Sequence, residues 1–137
     1  MKKYEFFEHT ADIGLRAYGT SPAETLENAA LGMLSIICDP GSIKPSKRMK
    51  IELDRDDETD LIIAFLSELL YNFSIGKFMY CGVSVEKFTG RSVTANISGE
   101  PYDPARHILK GEIKTVTYHR FKFEKNGACM MQVIFDV

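Results

Sequence analysis

Residues 3–37 read KYEFFEHTADIGLRAYGTSPAETLENAALGMLSII, and their hydrophobic period changes partway along. Lys3 to Phe7 has the composition of a strand, and Ile13 to Tyr18 alternates, with Ile13, Leu15 and Ala17 on one face and Gly14, Arg16 and Tyr18 on the other. The short segment Glu8 to Asp12 joins these two strands. From Ser21 the period becomes helical. Leu26, Ala29, Ala30, Met33, Leu34 and Ile37 recur three and four apart, behind a Ser21/Glu24 capping box with Pro22 in the first turn. Asp39, Pro40 and Gly41 end that helix.

The remainder continues in the same two periods. Gly41 to Met49 reads as a loop and Lys50 to Asp54 as a short strand. Asp56, Asp57, Glu58 and Asp60 then stand where negative charge favours a helix start. Leu61, Phe65, Leu66, Leu69, Leu70 and Phe73 give the following helix a wide apolar stripe. The acidic group reads as a helix start first and as a metal site second. Strands are predicted at Met79 to Glu86, Ser92 to Ser98, Lys110 to Val116, His119 to Glu124 and Cys129 to Phe135. Gly90 turns one hairpin, and Asn126-Gly127 turns another as type I′. Two helices among seven or eight mostly antiparallel strands make an α+β fold in a single domain over residues 1–137.

Composition narrows the function classes. With 137 residues, 45% hydrophobic and 26% charged, the chain has the balance of an ordinary globular domain. A net charge of -2 leaves no excess of Lys and Arg to release counterions from a phosphate backbone, so strong autonomous nucleic-acid binding is not expected. The N-terminus lacks the apolar core of a signal peptide. Leu61 to Phe73, interrupted by Ser67, Glu68 and Asn72, is too short to span a bilayer. Cys38, Cys81 and Cys129 form no CxxC pair and read as small hydrophobes of a reducing compartment. The expected location is cytoplasmic.

Four polar clusters could carry chemistry. FEHTAD crowds His9, Thr10 and Asp12 into the first turn, where backbone capping is the plainer role for Thr and Asp. GEPYDPARH places Glu100, Asp103, Arg106 and His107 in a loop stiffened by two prolines. It reads equally as a solvated turn and as a place to meet a partner. KTVTYH sets Lys114, Tyr118 and His119 at a strand junction. The chain finishes FDV, and an apolar strand running that far predicts an ordered end. If that end lies beside the first turn, carboxylates of Asp12, Asp136 and Val137 converge. Like charges that close call for a compensating hard cation.

Taken together, FEHTADIGLRAYG, DLIIAFLSELLYNF, GEPYDPARH, KTVTYH and the final FDV resemble, in order and spacing, the archease family over essentially the whole chain. The resemblance implies an α+β fold with a divalent metal ion, calcium in the family and magnesium or manganese as alternatives, held by Asp12, Asp136 and Val137. It implies no catalytic residues of the protein's own. The expected partner is an RtcB-type tRNA-splicing ligase, whose guanylylation the family promotes while sustaining multiple turnover and broadening nucleotide use. His9, Glu100, Lys114 and His119 become candidates for the ligase-facing surface around the metal. The competing readings are a free-standing metal-dependent phosphohydrolase with His9 as base, and a chaperone-like modulator of a tRNA-modifying enzyme.

Overall fold

The computed structural model describes residues 2–9 and 11–137; Thr10 and the side chain of His9 lie outside the described residues. Strands β1 (Tyr4–His9) and β2 (Asp12–Gly19) form a hairpin that leads into helix α1 (Pro22–Ile37). A 3-10 turn (Pro40–Ser42), β3 (Lys47–Asp54) and α2 (Glu58–Ser74) follow, then β4 (Phe78–Phe88), β5 (Ser92–Pro101), β6 (Thr115–Glu124) and β7 (Cys129–Asp136). Two antiparallel sheets result, a four-stranded one in the order β1-β2-β7-β6 and a three-stranded one in the order β3-β5-β4.

The helices sit where their apolar stripes direct them. α1 packs on β2 of one sheet and β4 of the other, and α2 packs on β6 and β4, so both bridge the sheets. Leu26, Met33, Phe65 and Leu66 of these stripes are fully buried in one core, against which Leu70 and Phe73 pack half-buried. The Ser21 hydroxyl accepts from the Glu24 N–H at 3.1 Å, while the Glu24 carboxylate reaches the N–H of Thr20 instead of Ser21. Asp57 caps α2 by accepting from the Asp60 N–H, and Glu58 pairs with Lys125 at 2.8 Å, so these acids are occupied in starting the helix. Cys38 and Cys129 are buried and Cys81 half-buried, all three as free thiols. No helix among the described residues is long and apolar enough to cross a membrane.

Two expectations need correction. Lys110 to Val116 is not a strand of its own. Leu109 makes a single bridge to Cys38, residues 110–114 cross the end of α1 irregularly, and the chain joins β6 at Thr115, which gives seven strands. The Lys110 N–H donates to the Ile37 carbonyl there, and a side chain at Gly111 would press on the Ile36 carbonyl, so the segment follows α1 rather than a ladder. The β6–β7 turn is not type I′ either. Gly127 has φ 79, but Asn126 is not among the residues with positive φ, and Lys125 to Ala128 form a longer loop with one left-handed glycine. The β4–β5 hairpin turns through Gly90, at φ 89, as expected.

A buried polar clamp holds the loop after β5. Glu100 is 5% exposed and His107 1%. The Glu100 carboxylate accepts from Arg106 Nη2 at 2.6 Å, His107 Nε2 at 2.8 Å and the Lys44 N–H at 2.9 Å. His107 Nδ1 accepts from the Asp103 N–H, so Nε2 carries the proton that Glu100 receives. The His107 ring stacks on Tyr102, which meets Phe73 of α2 edge-on. The Arg106 hydrogen bond, followed by the Lys44 and His107 bonds, holds the Glu100 carboxyl at a pKa of about 2, well below its ordinary value.

This clamp predicts an acid-sensitive contribution to stability. A depressed carboxylate stabilises the fold above its unfolded pKa and loses that effect as pH falls through the folded value. Urea denaturation of the wild type and of Glu100→Gln should therefore differ most above about pH 4.5. The difference should shrink steadily toward pH 2. A difference independent of pH over that range would contradict the clamp.

Candidate metal centre on the four-stranded sheet

The first turn and the last strand meet through β2. His9 stands opposite Asp12, and Ala11 before Asp12 adopts φ 65. β2 then runs antiparallel to β7 from Asp12 opposite Asp136 to Gly19 opposite Cys129. On the far side of β7, Asp136 is opposite Thr115, and its carbonyl accepts from the Lys114 N–H at 2.7 Å. One row of backbone positions thus runs His9, Asp12, Asp136, Thr115 across all four strands. Directly opposed residues of an antiparallel pair share a face, with Cβ atoms about 4.5–5.5 Å apart.

The core dictates this register. Leu15 faces Val133 and Ala17 faces Met131, all fully buried against the helices. A slip of β2 by one residue would turn Leu15 and Ala17 outward and drive Asp12 and Arg16 into the apolar interior. Asp12 and Asp136 are consequently held on the outer face, the former half-buried and the latter exposed. Val137 follows and packs at the edge of the core.

Two opposed aspartates repel, and cross-strand like charges destabilise a sheet unless something offsets them. Their oxygens suit a hard divalent cation such as calcium, magnesium or manganese. Among the described residues no group of three or more His, Cys, Asp or Glu side chains gathers as a metal site. The ligand set that the family resemblance implies, Asp12, Asp136 and Val137, would have two side-chain carboxylates and would take its third from the main-chain carboxylate of Val137. A cleft of about 510 Å³ lined by Phe6, Phe7, Ile36 and Lys110 reaches Asp12, and another of about 530 Å³ between α2 and residues 112–116 includes Lys114 and Thr115.

The remaining candidates divide. Lys114 is exposed beside the row, and His119 is exposed in β6, two residues beyond Thr117. The His9 side chain, a candidate for the same surface, lies outside the described residues. Glu100 belongs to the other sheet and is enclosed by Arg106, His107 and Lys44. Within GEPYDPARH, residues 104–106 form an exposed turn and Arg106 pairs with Asp103 at 3.4 Å, as the solvated-turn reading has it, while Glu100 and His107 are buried beneath. Tyr118 bonds to Asp60, which raises the phenol above its ordinary pKa and ties β6 to the start of α2. Sequence reading passes over Gln132, the single polar residue in the apolar run from Cys129 to Phe135, although its outer-face parity with Asp136 is visible there.

Comparison with known proteins agrees with this architecture. A sequence model of the Archease protein family matches residues 4–137. The protein archease of Methanosarcina mazei is 38% identical, with 99% of this chain and 97% of that protein covered. The protein archease of Thermococcus kodakarensis is 35% identical over the whole of both chains. The solution structure of protein 1598 from Methanobacterium thermoautotrophicum superposes with a TM-score of 0.81 at 30% identity, covering 100% of both chains. The crystal structure of a Thermotoga maritima archease, described as a possible chaperone, shares the fold at a TM-score of 0.65 and 22% identity, over 96% of this chain and 94% of that one. The chain belongs to the archease family.

Proposed function

We propose that this protein is not an enzyme in its own right but activates an RtcB-type tRNA-splicing RNA ligase. It would promote guanylylation of the ligase's histidine from GTP, sustain multiple turnover and broaden the nucleotides accepted, in the cytoplasm. Family membership supports this reading, and the observation that carries it is Asp12 standing directly opposite Asp136. Asp12, Asp136 and the Val137 carboxylate would hold one divalent cation, calcium by family likeness and magnesium or manganese otherwise. Once bound, such a cation supplies Lewis-acid stabilisation of phosphate charge. Lys114, exposed beside the row, adds a fixed positive charge for the same phosphates. The sheet contributes placement, since strands hold these groups more rigidly than a loop would. His9 and His119 would border the same surface. Glu100 would serve it only by holding the β5 end in shape.

A second reading is a chaperone-like modulator of a tRNA-modifying enzyme. The description of the Thermotoga relative favours it. It predicts that solubility or specificity of the client changes whether or not the carboxylate row is intact. A free-standing phosphohydrolase predicts turnover of phosphoesters with magnesium or manganese and no ligase present.

The proposed function carries two quantitative expectations. With limiting ligase and excess RNA, Asp12→Ala should reduce guanylylation and products per ligase to the level of ligase alone. Extending the chain by two or three residues beyond Val137 should also abolish stimulation, since it replaces a carboxylate by an amide without touching any side chain. Stimulation intact in both variants would leave the cation no part in the activity.

A further inference from the structure

Gln132 is 4% exposed, and both ends of its amide are engaged on the outer face of the four-stranded sheet. Arg16 Nε donates to its Oε1 at 3.0 Å, and its Nε2 donates to the Arg120 carbonyl at 2.9 Å. Arg16 offers only donors and a carbonyl only accepts, so one amide orientation satisfies both neighbours. A glutamate could keep the Arg16 bond but would face the carbonyl with a second acceptor. Arg16 is itself steadied, its guanidinium lying 4.3 Å over the Phe7 ring. That ring covers Gly14, where any side chain would collide with it.

The far end of this chain of contacts is irregular. Register passes from Thr117 opposite Ile134 to Lys122 opposite Gln132, so Tyr118 to Phe121 stand against Val133 alone. Arg120 adopts φ 53, a left-handed conformation that a non-glycine residue keeps only when its surroundings impose it. An edge strand with this much extra chain has few ladder bonds to shape it. The Thr117 hydroxyl donates to the Ile134 carbonyl at 2.7 Å, the His119 N–H donates to Thr117 Oγ1 at 3.3 Å, and Tyr118 bonds to Asp60. These fix the start of the bulge. Gln132 fixes its middle.

We infer that Gln132 is a positioning residue, which through the Arg120 carbonyl sets the shape of the Tyr118 to Phe121 bulge and so holds His119, four positions along β6 from Thr115 of the Asp12–Asp136 row. The use of His119 rests on the proposed function, whereas its placement does not. Imidazole NMR on the whole protein reads that placement directly, with His119→Ala assigning the signal and buried His107, in the loop after β5, as internal control. In Gln132→Leu the His119 ring signals should shift or broaden while those of His107 stay put. Gln132→Glu, which keeps the Arg16 bond, should show the same displacement even if the leucine variant folds poorly. Calcium or magnesium affinity should remain within about twofold of wild type, and ligase stimulation should fall roughly tenfold, the scale of one lost buried hydrogen bond. In a His119→Ala background the Gln132 substitution should add nothing further. Unmoved His119 signals in both Gln132 variants, or additive losses in the double variant, would overturn the inference. If the wild-type protein does not stimulate the ligase the proposed function fails, and the His119 signals still decide the positioning claim.

Discussion

The register of β2 against β7 is the constraint on which the rest of the structure depends. Eight consecutive pairs, from Asp12 opposite Asp136 to Gly19 opposite Cys129, tie the beginning of the chain to its end. That register is set on the inner face, where Leu15, Ala17, Met131, Val133 and Phe135 are sealed against the helices. The outer face inherits whatever lies opposite as a result. Burial of an aliphatic side chain is worth about 1.5–3 kcal/mol, and a slip would forfeit several such burials at once, so repulsion between two aspartates cannot shift the strands.

The outer face then carries two polar layers on one ladder. The row with Asp12 and Asp136 is the candidate metal centre. Four residues along β2, Arg16 stands opposite Gln132, which reaches the bulge of β6. Between these layers lie Gly14 and Ile134, the latter fully buried although it faces away from the helices, with the Phe7 ring folded over the glycine. Hydrophobic cover on the otherwise solvent-facing side of a sheet restricts the polar groups around it. The other sheet has a separate task. Its clamp of Glu100, Arg106 and His107 fixes the chain leaving β5 and thus the route by which residues 102–114 reach β6.

Much of this is legible in the sequence because it is written in period and end signals. The β1–β2 hairpin, the Ser21 start of α1, the stripe of α2 and the Gly90 hairpin each follow from residues within one turn or one strand of each other. What fails depends on distant partners. Lys110 to Val116 alternates like a strand, yet its first residue finds its hydrogen bond on α1 and only its last three reach β7. Asn126-Gly127 has type I′ composition, but the β6–β7 pairing leaves a longer loop to close. In the site, the meeting of Asp12 with Asp136 enters sequence reasoning only as a condition, because spacing says nothing of which strands neighbour each other. Glu100 reads as a surface acid because nothing local announces that Lys44, 56 residues earlier, donates to it. Gln132 escapes notice because a lone polar residue in an apolar strand acquires meaning only when its cross-strand partner is known.

The most direct measurement is a titration of the metal-free protein with calcium and with magnesium, followed by backbone amide NMR. One saturable site is expected, with the largest shifts at Asp12, Thr115, Asp136 and Val137, and no such site in Asp136→Asn. Shifts centred on the acidic start of α2 at Asp56 to Asp60, or no saturable response at the β2–β7 row, would contradict a metal centre held by the two chain ends.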